Sequence, residues 1–378
     1  MDGGALIAEG GFGCVHYPAL DCDGNEINDK KIISKLQIYN KNARNEIKIS
    51  NLLKKINGFM NHFSPIVGTC FMEKKKLKTK DCEVVEKHYK MDKKLILMKM
   101  IYVNGSSLLR YMIDHKNSKY IVNNIINGYN HLLKSLKLLI KSKICHFDLK
   151  GDNILFNEDM NLPIIIDYGI SIQIDDIRLN TLRDYFYVYG PEYYIWPLDV
   201  HYLCFIINEN PNPTKNELKN ICVDYVKYNR GLKSLSPEFK KKYLNACYKQ
   251  LLRYNKIEYK KRINKLLNYW TTWDNYALSI MYMRFFSYIY EDGFIENNFL
   301  KFFSKLLLRN IHPNPRKRLS VEETIVTFNT FLYKKDVNNL WTFENIADIF
   351  AKNRDDISKK LSKDIKMNQF LTKTIERN

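Results

Sequence analysis

The sequence predicts an α+β fold of two unequal lobes: a small β-rich lobe over residues 1–103, a larger helical lobe over 104–335 and a helical extension over 336–378. Two observations carry this expectation. Up to about residue 103 the apolar residues fall in short runs rich in β-branched side chains, separated by glycine and polar turns, whereas after Gly105 they recur at helical spacing. The chain has 378 residues, 45% of them apolar, which is enough for a sizeable core and excludes a disordered polymer.

The elements follow in order. Leu6 to Ile7 and Cys14 to Tyr17 read as strands around a glycine turn, and Lys31 to Ile38 as a third strand. Asn42 to Ile56 carries Ile47, Leu52, Leu53 and Ile56 at helical spacing, with Gly58 just beyond as a stop signal. Ile66 to Met72 and Leu95 to Met100 are again strand-like, and the Lys-rich Glu73 to Lys94 between them reads as an exposed hairpin or loop. Leu108 to Asp114 and Tyr120 to Ser142 predict helices, Pro163 to Ile166 a strand, and from Pro197 onward most of the chain reads as helix with Lys-rich outer faces. No repeat or low-complexity linker interrupts this order.

No run approaches the length of a membrane span, and no basic stretch with an apolar core opens the chain, so a soluble cytoplasmic protein is expected. Glycine stands at position 3 rather than 2, outside the myristoylation pattern. The eight cysteines form no CxxC pair, which argues against a zinc or redox site and predicts reduced thiols. The formal net charge of +19 permits an acidic partner such as nucleic acid. The lysines are scattered, however, and accompany abundant Asn, Ile and Tyr, as an AT-rich coding sequence would produce, so the charge is read as compositional.

The chemistry-bearing residues are concentrated in His146-Phe147-Asp148-Leu149-Lys150-Gly151-Asp152-Asn153, followed after an apolar strand by Asp167-Tyr168-Gly169. Transfer of a phosphoryl group needs a base for the acceptor hydroxyl, oxygen ligands to hold a divalent cation on the phosphates, and a cation near the γ-phosphate. Asp148, Asn153, Asp167 and Lys150 make up that set. The two stretches resemble the HRDxKxxN and DFG motifs of eukaryotic-type protein Ser/Thr kinases. Ala8-Glu9-Gly10-Gly11-Phe12-Gly13-Cys14-Val15 resembles the glycine loop of that family, with Ala8 in place of the first glycine, and Ile32-Ile33-Ser34-Lys35 resembles its V-A-I-K strand.

The resemblance implies a bilobal protein-kinase fold that binds ATP with magnesium or manganese. Asp148 is then the catalytic base and Lys150 stabilises the transferred group, while Asn153 and Asp167 are the metal ligands. Lys35 would hold the phosphates and Glu46 would fix Lys35. Met100 would be the gatekeeper, and Ile101 to Val103 the hinge that meets adenine. Three later stretches are similar to structural motifs of the family. Pro191-Glu192 resembles the end of the activation segment, Trp273 to Ser279 carries Asp274 as anchor of the catalytic loop, and Asn314-Pro315-Arg316-Lys317-Arg318 would place Arg318 against Glu192. Asp199 is the rival anchor. With Asp274 as anchor, residues from about 193 to 272 contain an insertion.

The Tyr- and Trp-rich stretch Tyr187 to Asp199 is most similar to kinases of large cytoplasmic DNA viruses, which implies action in the host cytoplasm and packaging in the virion as a further option. Phe147 stands where the family has the Arg that receives an activation-loop phosphate, so activity without phosphorylation of Thr181 is expected. Lys150 points to Ser/Thr acceptors on protein substrates. The alternative is a pseudokinase that binds ATP and acts as a scaffold, against which the set Lys35, Asp148, Asn153 and Asp167 is intact.

Overall fold

A computed structural model of the chain describes residues 5–9, 13–73, 82, 94–115, 120–290, 298–332, 348 and 351–377. Five strands build the small lobe: β1 (Ala5–Glu9), β2 (Gly13–Tyr17), β3 (Ile32–Ile38), β4 (Ile66–Met72) and β5 (Leu95–Ile101), paired antiparallel in the order β1-β2-β3-β5-β4. Among the described residues of this lobe, the helix α1 (Lys41–Leu53) begins where the Asn40 side chain accepts the Ala43 N–H at 2.9 Å.

The alternation of the strands divides the lobe into two faces. Leu36, Ile38, Leu95 and Leu97 pack with Cys14, Leu20 and Met72 on one face, and Ile96 and Met98 pack with Ala43 of α1 on the other. Lys35 is paired directly with Met98, and directly paired residues project to the same face, so β3 turns this lysine toward α1. The helix ends at Leu53 rather than Ile56. Leu53 is fully buried whereas Ile56 is only partly so, and Gly58, at φ +70°, begins a separate short turn instead of capping the helix.

The cysteine expectation is corrected here. Cys14 is bonded to Cys82 and Cys22 to Cys70, while Cys145, Cys204, Cys222 and Cys247 are free and buried. Partners 68 and 48 residues apart in sequence meet through the folding of the small lobe, which a search for neighbouring cysteines cannot reveal. Apart from Glu73, Cys82 and Lys94, the Lys-rich stretch between β4 and β5 lies outside the described residues.

In the large lobe, β6 (Gly105–Ser107), β8 (Ile154–Asn157) and β9 (Leu162–Ile165) form an antiparallel sheet, and β7 (Ile144–Cys145) pairs with β10 (Ile172–Gln173). Around them lie α2 (Leu108–Asp114), α3 (Ile121–Lys141), α4 (Leu182–Tyr185), α5 (Leu198–Asn208), α6 (Lys215–Tyr228), α7 (Pro237–Asn255) and α8 (Tyr259–Leu267). The chain continues as α9 (Trp273–Tyr290), α10 (Asn298–Asn310), α11 (Val321–Leu332) and α12 (Arg354–Arg377). Tyr129 of α3, Tyr282 of α9, Phe303 of α10 and Phe328 of α11 meet edge-on and tilted at the centre of the core. The stretch expected to hold an insertion supplies α5 to α8, whose buried faces join this core.

Arg318 does not pair with Glu192, as the motif reading expected. Glu192 is exposed, and the Arg318 guanidinium lies 2.5 Å from Asp199, with both side chains almost wholly buried. Asp199 also accepts the Trp273 indole N–H at 2.8 Å, and Arg318 donates to Thr272 and to the His312 carbonyl. Asp199 is well placed because it sits in the first turn of α5, where a helix terminus favours an anion. Removing one member of such a pair leaves an uncompensated buried charge. Arg318→Met is expected to destabilise the fold by about 3 kcal/mol or more, read as the urea unfolding midpoint at unchanged slope. A loss below about 1 kcal/mol would show that the pair is dispensable.

Candidate active site

The described residues place a cavity of about 540 Å³ between the lobes. Ile7, Ala8, Glu9, Gly13 and Val15 of β1 and β2 form its roof, and Leu155, Ile166 and Asp167 lie below. Of the expected glycine loop, Gly10, Gly11 and Phe12 lie outside the described residues. Gly13 has a packing reason to be glycine: a Cβ there would come within 2.2 Å of the Leu36 carbonyl oxygen across the strand pair.

Lys35 lines the cavity from above. Its ammonium lies 2.9 Å from Glu46 Oε2 and 3.8 Å from Asp167 Oδ1, so one cation joins sheet, helix and lower lobe. Burial pushes the Glu46 carboxyl above its ordinary value despite the pull of Lys35. Burial raises Asp167 as well, but there the Lys35 and Lys150 ammonium groups outweigh it and hold the carboxyl low, hence ionised. Met100 to Val103 form the rear wall. Within that strap the Ile101 carbonyl accepts the Ser64 hydroxyl and the Tyr102 N–H donates to the Lys31 carbonyl, which makes Val103 the residue best suited to bond a planar heterocycle through its backbone.

The lower groups sit on a buried loop between β7 and β8. Asp274, at the start of α9, accepts the backbone N–H groups of His146 at 2.7 Å and Phe147 at 3.0 Å, so Asp274 rather than Asp199 anchors the loop. The His146 ring bridges on: Nδ1 accepts the Asp148 N–H at 3.3 Å and Nε2 donates to the Ile166 carbonyl at 3.0 Å. Asp148 and Lys150 form a buried pair at 3.0 Å, and the Asn153 amide donates to Asp148 Oδ2 at 2.8 Å and to the Asp148 carbonyl at 2.9 Å. Burial pushes the Asp148 carboxyl up, opposed by Lys150. Burial alone would lower Lys150, but the Asp148 carboxylate outweighs it and raises it.

Asn153 and Asp167 both border the cavity. The Asn153 nitrogen is engaged by Asp148, which leaves its carbonyl oxygen as a ligand atom, and Asp167 is ionised. An amide oxygen and a carboxylate are the hard donors that suit magnesium or manganese.

Several participants were missed by the sequence reading. The Tyr193 hydroxyl donates to Asp148 Oδ1. Trp196 donates from its indole nitrogen to the Phe147 carbonyl at 2.8 Å and stacks on the Phe147 ring. Asn45 of α1 donates to the carbonyls of Tyr168, Gly169 and Ser171, tying the helix to the chain after Asp167. Gln369 of α12 reaches the cavity wall. The Tyr and Trp residues belonged to a stretch noted as distinctive. For Asn45 and Gln369 the sequence carried no signal.

Two lobes closing on a lysine–glutamate pair, above a loop that holds aspartate, lysine and asparagine, define a bilobal phosphotransferase architecture. The protein kinase domain matches residues 3–327, and the chain belongs to that family. It is 29% identical over 107 residues to a protein of Mycoplasma genitalium named as a serine/threonine-protein kinase, a match covering 27% of each chain. It is 26% identical over 129 residues to the dual specificity protein kinase zakA of Dictyostelium discoideum, covering 31% of this chain and 16% of that one. With the serine/threonine-protein kinase CST20 of Candida albicans it shares 30% identity over 99 residues, 23% of this chain and 8% of that one. The chain thus spans about a quarter or less of the length of these curated relatives.

With Asp148 as the base that the motif implies, its raised carboxyl leads to a pH prediction. Asp148 accepts a proton only when ionised, and its raised pKa means that it protonates at higher pH than an exposed aspartate. Activity (kcat/KM) should therefore fall on acidification while the pH is still above the ordinary aspartate range near 4. Lys150→Ala removes a cation that lowers the Asp148 value, so the acid limb should move to higher pH in a comparison of pH–rate profiles. A limb that stays in place would separate Lys150 from the ionisation of the base.

Proposed function

We propose that this protein is an ATP-dependent serine/threonine-protein kinase. The observation that carries the reading is the convergence of Lys150, Asn153, Asp167 and the Lys35–Glu46 pair on one cleft between the lobes, with Asp148 bonded to both Lys150 and Asn153. Adenine lies against the Met100–Val103 wall with the phosphates toward Lys35. Magnesium or manganese, held by Asn153 and Asp167, neutralises phosphate charge when bound. Asp148 orients a Ser or Thr hydroxyl on a protein substrate and takes its proton as the oxygen attacks the γ-phosphorus. The bond from that phosphorus to the β–γ bridging oxygen breaks and ADP leaves. Lys150, beside the base, stabilises charge on the transferred group.

The Ser/Thr preference rests on Lys150 and on the names of two distant relatives. The dual-specificity name of the third makes Tyr acceptors the competing outcome. The pseudokinase reading has no support in the cleft, where each expected charged group has its partner. The Tyr- and Trp-rich stretch supports the narrower placement among kinases of large cytoplasmic DNA viruses, acting in the cytoplasm of an infected cell. No helix among the described residues is long and apolar enough to cross a membrane.

Activity without activation-loop phosphorylation has a physical basis. Phe147 offers no charge to a phosphate and is buried among Phe186, Trp196 and Trp273. Fixed carboxylates of the same segment instead meet lysines of α1 and the loop below: Asp184 with Lys41 at 2.6 Å, Asp176 with Lys48, and Asp175 with Lys143 at 3.0 Å.

The first test is transfer of labelled phosphate from ATP with magnesium to a mixture of protein substrates. The wild type should label Ser or Thr, and Asp148→Asn should lower the rate by about 10²-fold or more. Nucleotide binding without any transfer would favour the scaffold reading. A second test treats the enzyme with phosphatase and replaces Thr181 by Ala. Both should keep activity within about two-fold of the starting enzyme, since no cation at position 147 waits for a phosphate. A large loss would show that another group reads a phosphate in this segment.

A further inference from the structure

The last helix, α12, lies against α2 and α9 in the large lobe, away from the residues that carry the chemistry in sequence but beside them in space. Its buried positions are Ile357, Ser358, Leu361, Asp364, Asn368 and Leu371. Such a stripe is the inward face of an amphipathic helix, and three of its six positions are polar, two of which, Asp364 and Asn368, bond to side chains of other elements. Burying polar groups is costly unless each meets a partner, so these two residues restrict the helix to one docked position.

Asp364 is met by a constructed site. Arg284 of α9 approaches its two oxygens at 2.8 and 3.1 Å, Arg230 lies at 3.4 Å, and the Tyr288 hydroxyl donates to it. One turn further on, the two ends of Asn368 are engaged. Its oxygen accepts the Tyr194 hydroxyl at 3.2 Å and its side chain hydrogen-bonds to Asp152. Asp152 lies between Lys150 and Asn153 on the catalytic loop, and Tyr194 follows Tyr193, whose hydroxyl bonds to Asp148. The next residue, Gln369, reaches the wall of the cleft that also contains Lys35 and Asp167. A helix that served only to cover apolar surface would need none of these contacts.

We infer that α12 is a working part of the active site, in which Asn368 is a positioning residue that holds the catalytic loop through Asp152 and the Tyr193–Tyr194 strap through Tyr194. In the structure, α12 is docked while the Lys35–Glu46 pair is formed and the cavity is open. This inference rests on the kinase reading for its catalytic consequence but not for its structural one.

The test uses the full chain and two replacements on α12. Asn368→Leu keeps the volume and removes both hydrogen bonds. Met367→Ala, on the outer face of the helix, is the control. Steady-state kinetics with ATP and one protein substrate, thermal melting, and amide hydrogen exchange over residues 146–154 are measured on each. Asn368→Leu should lower kcat about ten-fold or more while KM for ATP changes less than two-fold, speed exchange over the catalytic loop and leave the melting temperature within a few degrees, whereas Met367→Ala changes none of these.

An unchanged kcat would overturn the inference and reduce α12 to a packing element. A raised kcat would overturn it in the other direction, making the helix a brake. If the wild type transfers no phosphate, the kinase reading fails separately and hydrogen exchange alone decides. Unchanged protection over 146–154 in Asn368→Leu would then overturn the coupling, and faster exchange would sustain it.

Discussion

The active site depends first on one carboxylate that never meets substrate. Asp274 is buried at the start of the central helix α9 and accepts the N–H groups of His146 and Phe147. Phe147 lies at φ +67°, a conformation that a bulky residue adopts only when its surroundings enforce it, at a cost of about 1–3 kcal/mol. Two bonds from a carboxylate, the Trp196 indole on the Phe147 carbonyl and the stacked rings supply that enforcement. Burial raises the Asp274 carboxyl, and the His146 ring and the two N–H groups work against the rise. With the loop fixed at this point, Lys150, Asp152 and Asn153 line the cleft, and Asp148 is held beside them by Lys150 and Asn153.

What was legible in the sequence follows from how far apart the cooperating residues lie along the chain. Asp148, Lys150 and Asn153 act within six residues, and a local pattern displays them. Lys35 and Glu46 are eleven apart, yet strand alternation and one helix capped at Asn40 suffice to bring them together. Arg318 and Asp199 are 119 residues apart, and the Pro191-Glu192 dipeptide drew attention to the wrong acid because composition says nothing about burial. The disulfides of the small lobe and the reach of α12 into the cleft are likewise products of tertiary packing. The strand, helix and lobe order was readable because periodicity records which faces are buried, whereas partners across the core leave no periodic trace.

The same contrast explains how this chain handles its activation segment. Where the family motif has an arginine, this protein has Phe147, and the lost charge is matched by a change of surroundings rather than by another cation nearby. Trp196, Phe186 and Trp273 close around the ring, so part of the Tyr- and Trp-rich stretch packs on the residue that stands in place of the arginine. Packing of buried rings around Phe147 needs no modification, whereas ordering by a phosphate is conditional. Asn45 joins α1 to three carbonyls, those of Tyr168, Gly169 and Ser171, without any titratable group.

The two oxygens of Asp148 are held unequally. Oδ2 is held by Lys150 and Asn153, one of them a charged donor, whereas Oδ1 is held by the Tyr193 phenol. Two donors, one of them an ammonium, hold Oδ2 against one on Oδ1, and Asn153 is further fixed by the Asp148 carbonyl. On the proposed kinase reading, an incoming hydroxyl would compete with Tyr193 for Oδ1, where Asp148 is held by a single side chain on a connecting segment. Tyr193 is joined through Tyr194 to Asn368. The strap beside Asp148 is thus tied to the helix that borders the cleft, and on the same reading acceptor entry and the docking of α12 would act on the same few hydrogen bonds.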